Sequence, residues 1–194
     1  MPAKRPSPRL AVLKEDSLND MQRDLLAALR AGPRGASITP RGPFAAWMHA
    51  PEFGKLAQAL GAHCRYRTGL SPRLSEFAIL CTARLWRAQY EWFAHAPMAE
   101  KAGVKPKTIQ DLRAGREPKS APKDERAIYA FVQELYKTRR VSERTYKRVH
   151  AFLGDAAMVE FVGILGYYVL ISMTLNVFHM LPPEDAGLAF AEPK

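Results

Sequence analysis

Residues 72–103, PRLSEFAILCTARLWRAQYEWFAHAPMAEKAG, decide how this chain is read. The run is apolar and helix-forming, yet it carries Glu76, Glu91 and His95. A carboxylate or an imidazole in such a setting is costly unless paired, so the three need a structural or a catalytic reason. Ser71 ahead of Pro72 suits a helix N-cap followed by proline at the first helical position. Leu74, Phe77, Leu80, Cys81, Leu85 and Ala88 then predict one apolar face, with Arg73, Arg84 and Arg87 elsewhere.

Glu91 and His95 are four positions apart and share one face of a helical turn. Glu76 and His95 are nineteen apart, which on a straight helix means roughly 28 Å along the axis and about 100° around it. If they cooperate, either the chain bends, with residues 84–89 as the expected place, or the contact comes from another subunit. Pro97 predicts a kink or a new turn just past His95. The plain alternative is that Glu91 and His95 only brace a helix turn, and that Trp86, Tyr90 and Trp92 only pack.

Outward from this stretch the pattern stays helical. SLNDMQRDLLAALRA (17–31) predicts an amphipathic helix capped by Ser17 and stopped at Gly32-Pro33. GPRGASITPRGP (32–43) is a surface loop, and Pro51 divides the next region into FAAWMHA and EFGKLAQAL. Downstream, Pro106–Ala114 is a short helix ended by Gly115, and GREPKSAPK is a linker. A further helix opens at Asp124 with Ile128, Phe131, Val132 and Leu135 inward, and VSERTYKRVHAFL follows behind an imperfect capping box at Ser142. Residues 161–181 hold no Asp, Glu, Lys or Arg, a length that could span a bilayer. Asn176, His179, the lack of flanking positive charge and the many amphipathic partners favour a buried core helix, and no membrane is expected.

The chain has 194 residues, 47% of them hydrophobic, enough for one substantial core or two small ones. One all-α domain is expected over 17–185, between a loose arm (1–16) and a tail (186–194). The basic start has no apolar run behind it, so no secretory signal is visible and the expected location is cytoplasmic. Cys64 and Cys81 form neither a CxxC pair nor a disulfide or zinc framework, and no metal is expected. The net charge of +10 raises the question of nucleic acid, since residues 101–150 hold 14 Lys/Arg against 6 Asp/Glu. No nucleic-acid-binding motif accompanies that excess, so it is taken as solvated helix surface that would also attract small anions.

At an offset of 84 residues the chain echoes itself: Glu76-Phe77 falls on Glu160-Phe161, Leu80 on Ile164, Leu85 on Val169 and His95 on His179. Two weakly related halves are therefore expected. Leu175 stands where the first half has Glu91, so the second half is expected to be structural.

The stretch LSPRLSEFAILCTARLWRAQYEWFAHAPMAEKAGV resembles the core motif of the carboxymuconolactone decarboxylase family, which includes the alkylhydroperoxidase D-like proteins. DERAIYAFVQELYKTRRVSERTYKRV and LGDAAMVEFVGILGYYVLISMTLNVF are similar to the C-terminal part of its longer members. The resemblance implies an alkylhydroperoxidase D-like helical bundle and a homo-oligomer, trimer or hexamer. In the peroxidase branch the motif is a Glu, a CxxC pair and a His four residues after the second Cys. Glu76 and His95 match the Glu and the His, while Ala88 and Glu91 stand at the cysteine positions. Without those thiols the motif has no nucleophile for a peroxide, which disfavours a thiol-dependent antioxidant protein. The decarboxylase branch uses no dithiol, and Tyr90-Glu91-Trp92 before His95 is similar to it. The resemblance thus implies a carboxy-lyase-like enzyme without a cofactor, working by decarboxylation or proton transfer on a small anionic, carboxylated or lactone-type metabolite. His95, Glu91 and Glu76 would be its catalytic groups and Tyr90, Trp86, Arg84 and Arg87 its substrate-binding ones. A non-catalytic oligomeric binding protein is the remaining alternative.

Overall fold

Ten consecutive residues, 74–83, are buried on every side, so the helix that carries them is the axis of the protein, with no solvent-facing stripe along that run. In the computed structural model, which describes residues 5–191, there are eight α-helices, this axis and seven others. They are α1 (Asp20–Ala31), α2 (Pro43–Trp47), α3 (Pro51–Tyr66), α4 (Pro72–Leu85), α5 (Gln89–Lys101), α6 (Pro106–Arg113), α7 (Lys123–Thr138) and α8 (Glu143–Val177). Helices α5, α6, α7 and α8 all pack on α4; α3 packs on α8, α1 reaches the bundle through α3, and α2 packs on both α3 and α8. Phe77 of α4, Phe131 of α7 and Phe161 of α8 fill the centre, the last two with ring centroids 5.1 Å apart.

Most helix limits follow from local chemistry. The Ser71 side chain accepts the Leu74 N–H ahead of Pro72, as the sequence predicts. The first helix begins later than expected, because Asn19 and not Ser17 caps it: Asn19 and Gln22 exchange side chain and backbone in a capping box. Ser17 instead closes a short 3-10 turn, Glu15–Ser17. Pro97 lies inside α5 and does not end it; one backbone bond is forgone and the helix continues to Lys101. Leu85, placed on the apolar face by its spacing, is 40% exposed because α4 ends there and the chain turns away.

The two pieces read as 141–153 and 161–181 form one element broken at Gly154 (φ 71°, ψ 178°). It is the one helix among the described residues that is long and apolar enough to cross a membrane, and half of its most apolar stretch is buried inside the protein. The internal echo is not repeated as a polar site. Glu160 accepts the Gly69 N–H at 2.6 Å and faces His63 at 3.4 Å, whereas His179 lies past the end of α8 with its Nδ1 3.2 Å from the Ser7 carbonyl.

Residues 5–16, expected as a loose arm, are tied down by backbone carbonyls. Arg5 donates to Pro182 and Pro183, and Arg9 to Val177. The tail is held too: Phe190 is buried, its ring 5.2 Å from that of Trp92, and Gln89 donates to its carbonyl at 2.7 Å. Residues 1–4 and 192–194 of the arm and tail lie outside the described residues.

Close helix approach sets one sequence requirement. A Cβ on Gly61 of α3 would lie 1.9 Å from the Tyr167 hydroxyl of α8, and the ring carbons behind it leave no retreat. Gly61→Ala is expected to lower stability by about 1–3 kcal/mol in urea unfolding. Gly163→Ala, whose Cβ meets nothing within 4 Å, is expected to be neutral or to stabilise by up to about 1 kcal/mol.

Candidate active site

The turn between α4 and α5 brings the polar residues together. After Leu85 the chain reverses through Trp86, Arg87 and Ala88, with Arg87 in the left-handed region at φ 51° and Ala88 N–H donating to Ala83. Glu76 stands about as far before this turn as His95 stands after it, so an antiparallel helix pair sets them level. The bend is the solution adopted, and the contact lies within one chain: His95 Nδ1 is 2.6 Å from Glu76 Oε2. The i, i+4 pair also forms, with His95 Nε2 2.9 Å from Glu91 Oε1.

Both ring nitrogens of His95 therefore meet carboxylates, and all three residues are buried. Burial taken alone would lower the pKa of His95, but the negative charge of Glu91 and the hydrogen bonds from Glu76 and Glu91 outweigh it and raise the value to about 9. At neutral pH the ring is an imidazolium donating one N–H to each side. The Tyr168 ring meets the imidazole edge-to-face at 5.1 Å, and burial holds its phenol well above the ordinary range.

A cavity of about 370 Å³ opens onto this cluster. Glu91, His95 and Ala94 form its floor; Tyr90, Tyr167, Tyr168 and Ile171 form walls; Arg34, Ile38, Arg41, Phe44 and Arg65 lie around the rest. Glu76 is behind His95 and does not line it. Exposed Ser37, Thr39 and Arg41 bring the cavity to the surface. The loop over it ends at Gly42, where φ is 54° and a Cβ would strike the Tyr90 ring at 2.4 Å, so only glycine lets the loop settle there.

Of the expected site residues, His95, Glu91 and Tyr90 line the cavity and Glu76 supports it from behind. Trp86, Arg84 and Arg87 do not line it. Arg84 and Arg87 turn toward the C-terminal tail: Arg84 Nε donates to Arg113 at 3.0 Å and its guanidinium stacks over Phe190, and Arg87 donates to Ala191 at 2.6 Å. Trp86 sits in the turn, where its carbonyl accepts from Asn176. The cations at the cavity are Arg34, Arg41 and Arg65, which the sequence reading missed along with Tyr167 and Tyr168. Two arginines inside a Gly/Pro-rich loop, GPRGASITPRGP, were the available signal.

Both cysteines are buried, and desolvation pushes each thiol above its ordinary value, Cys81 furthest. Among the described residues no group of three or more His, Cys, Asp or Glu is arranged to hold a metal ion. The arrangement suits proton movement from a buried donor, through Glu91, to a bound molecule.

Three comparisons bear on this geometry. The sequence model of the carboxymuconolactone decarboxylase family matches residues 51–134, from the start of α3 into α7. A solved structure described as an alkylhydroperoxidase AhpD core, an uncharacterized peroxidase-related protein from Ralstonia eutropha JMP134, superposes with a TM-score of 0.75 at 18% identity, covering 94% of this chain and 95% of that one. The bundle thus has the alkylhydroperoxidase D-like fold. No curated protein matches the sequence.

The His95 charge links the site to stability. Its folded-state pKa of about 9 exceeds the ordinary 6.5, so its proton stabilises the fold fully below about pH 6.5 and that contribution disappears as pH rises through about 9. Denaturation midpoints are expected to fall across this window in the native protein and to change less in His95→Asn. A native profile that is flat there would mean a neutral imidazole between the carboxylates.

Proposed function

Because the chain belongs, through residues 51–134, to the carboxymuconolactone decarboxylase family, we propose that it is a cofactor-free acid–base enzyme, carboxy-lyase-like, acting on a small carboxylated or lactone-type metabolite. The observation that carries this reading is His95 clasped by two carboxylates at the floor of a cavity, with Glu91 alone of the two carboxylates facing that cavity.

The proton path follows from the hydrogen bonds. In a decarboxylation, the bond between the substrate's carboxylate carbon and its neighbour breaks, CO2 leaves, and the electron pair stays on the neighbouring carbon. The proton on His95 Nε2 passes to Glu91, and Glu91 delivers a proton to that carbon. His95 is left neutral, with its Nδ1–H held on Glu76, until solvent restores the lost proton. Proton transfer within a substrate uses the same groups in reverse, Glu91 taking a proton from carbon and the imidazolium stabilising what forms. Apolar walls from Tyr168 and Ile171 disfavour a free carboxylate near the floor and favour loss of its charge as CO2.

Thiol-dependent peroxidase chemistry is the second reading, raised by the peroxidase-related description of the similar fold. Ala88 and Glu91 at the motif positions, and two buried thiols of raised pKa, weigh against it. The acid–base reading also carries a cytoplasmic homo-oligomer, trimer or hexamer. Val159, Val162, Met173 and Val177 on one exposed stripe of α8, and Phe53, Leu56 and Leu60 on one of α3, supply apolar surface for a second copy.

Turnover of a carboxylactone panel tests the chemistry. Glu91→Gln and His95→Asn are each expected to reduce kcat roughly 10²–10⁴-fold. Activity is expected to decline as pH rises through about 9, where His95 loses its proton. An inactive native protein, or activity indifferent to both changes, would reject the site. Hydroperoxide consumption abolished by replacing Cys64 and Cys81 together would instead establish the thiol reading.

A further inference from the structure

Three guanidinium groups converge on the cavity, and none has a carboxylate partner among the described residues. Four other arginines do have carboxylate partners: Arg23 with Asp20, Arg30 with Glu15, Arg73 with Asp124 and Glu125, and Arg116 with Asp111. Arg34 has only long contacts, 3.4 Å to the Gln58 carbonyl and 3.5 Å to its side chain, and lies over the Phe44 ring; its Nε is buried with no partner. Arg65 meets the Met98 sulfur and the Tyr66 ring, which are neutral groups. Arg41 is exposed, and its side chain makes no hydrogen bond or ion pair among the described residues.

Unpaired cations held near one another repel, and a half-buried guanidinium without an acceptor leaves desolvated donors unsatisfied. An oxyanion in the cavity relieves both. Glu91 is the one acidic side chain among the lining residues, so an oxyanion head pairs with the guanidinium groups and leaves Glu91 to the rest of the molecule. The walls include Ile38, Phe44, Tyr90 and Ile171. The positive field also reaches the cavity tyrosines, since Arg41 acts to lower the pKa of Tyr90, and Arg34 and Arg65 that of Tyr167, against the larger upward effect of burial.

We infer that Arg34, Arg41 and Arg65 are specificity-determining residues: they take the oxyanion head, carboxylate or phosphate, of a substrate whose body is apolar or aromatic and whose far end reaches Glu91. The inference rests on the acid–base reading for which end reacts, but not for the binding itself. Arg34 and Arg41 lie on the loop before residue 51, outside the segment that matches the family, and Arg65 lies within it.

Titration of the 15N-labelled full chain with 3-phenylpropionate, 2-phenylethyl phosphate and uncharged 3-phenyl-1-propanol tests it. At least one charged probe is expected to bind about tenfold or more tighter than the alcohol, with amide shifts at Tyr90, Glu91 and Tyr168. Arg41→Gln, at an exposed position outside the core, is expected to weaken the charged probe severalfold and leave the alcohol unchanged, while Arg41→Lys keeps most of the preference. Arg34→Gln and Arg65→Gln are expected to act in the same direction. Equal binding of charged and neutral probes, no binding of any probe up to about 10 mM, or a preference that survives loss of all three arginines would overturn the inference. His95→Asn is expected to keep the preference for the charged probe. Failure of the carboxylactone assay with the preference intact therefore removes the chemistry and leaves the rim, and loss of the preference with turnover intact does the reverse.

Discussion

A protonated histidine held between two buried carboxylates is the constraint on which the rest of the architecture depends. Each of the three groups is expensive to desolvate alone, and each becomes tolerable only because the others are within hydrogen-bonding distance. The α4–α5 turn has to be tight, because a longer loop would let the helices slide and separate Glu76 from His95. Helix α4 has to be central, because Glu76 is reached only from a buried position, and α8 has to lie across the pair to exclude water with Tyr168.

The same constraint divides the cavity electrically. Its floor is a hydrogen-bonded Glu–His–Glu cluster of fixed geometry, and around it stands a set of cations without carboxylate partners. Structure and charge are thereby separated by origin: the floor comes from the helical pair common to residues 51–134, and two of the three rim cations come from a loop upstream. Such a layout lets the rim vary in sequence without touching the hydrogen bonds below, because neither Arg34 nor Arg41 is bonded to Glu76, Glu91 or His95.

Much of this was legible in the sequence, for identifiable reasons. Helical spacing and cap chemistry placed α4, α5, α6 and α7 within a few residues, and the nineteen-residue separation of Glu76 and His95 left a bend or a second subunit as the ways to join them, of which the chain takes the bend. The i, i+4 relation of Glu91 and His95 is intrinsic to a helix and survived intact. What failed depended on which neighbour covers a face. Periodicity shows that Arg84 and Arg87 lie off the apolar side, but only tertiary packing shows that the C-terminal tail, and not the cavity, receives them. Arg34, Arg41 and Tyr168 were missed because they reach the site across 50 to 75 residues of sequence, where no local pattern speaks. Asn19 over Ser17 is a smaller case of the same limit: both can cap, and the reciprocal bond from Gln22 decides.

The tail's grip on α5 bears on the order in which the protein is made. Gln89, at the head of α5, is bonded to residues 189 and 190, and Phe190 closes over Trp92. Tyr167, Tyr168 and Ile171 come from the last long helix. A nascent chain can form the α4–α5 hairpin early, since its contacts are local, but the ring that seals His95 and the latch on α5 are made well after that hairpin. Until then the cluster stands open to water, so the site is completed only when α8 and the residues that follow it are available to fold.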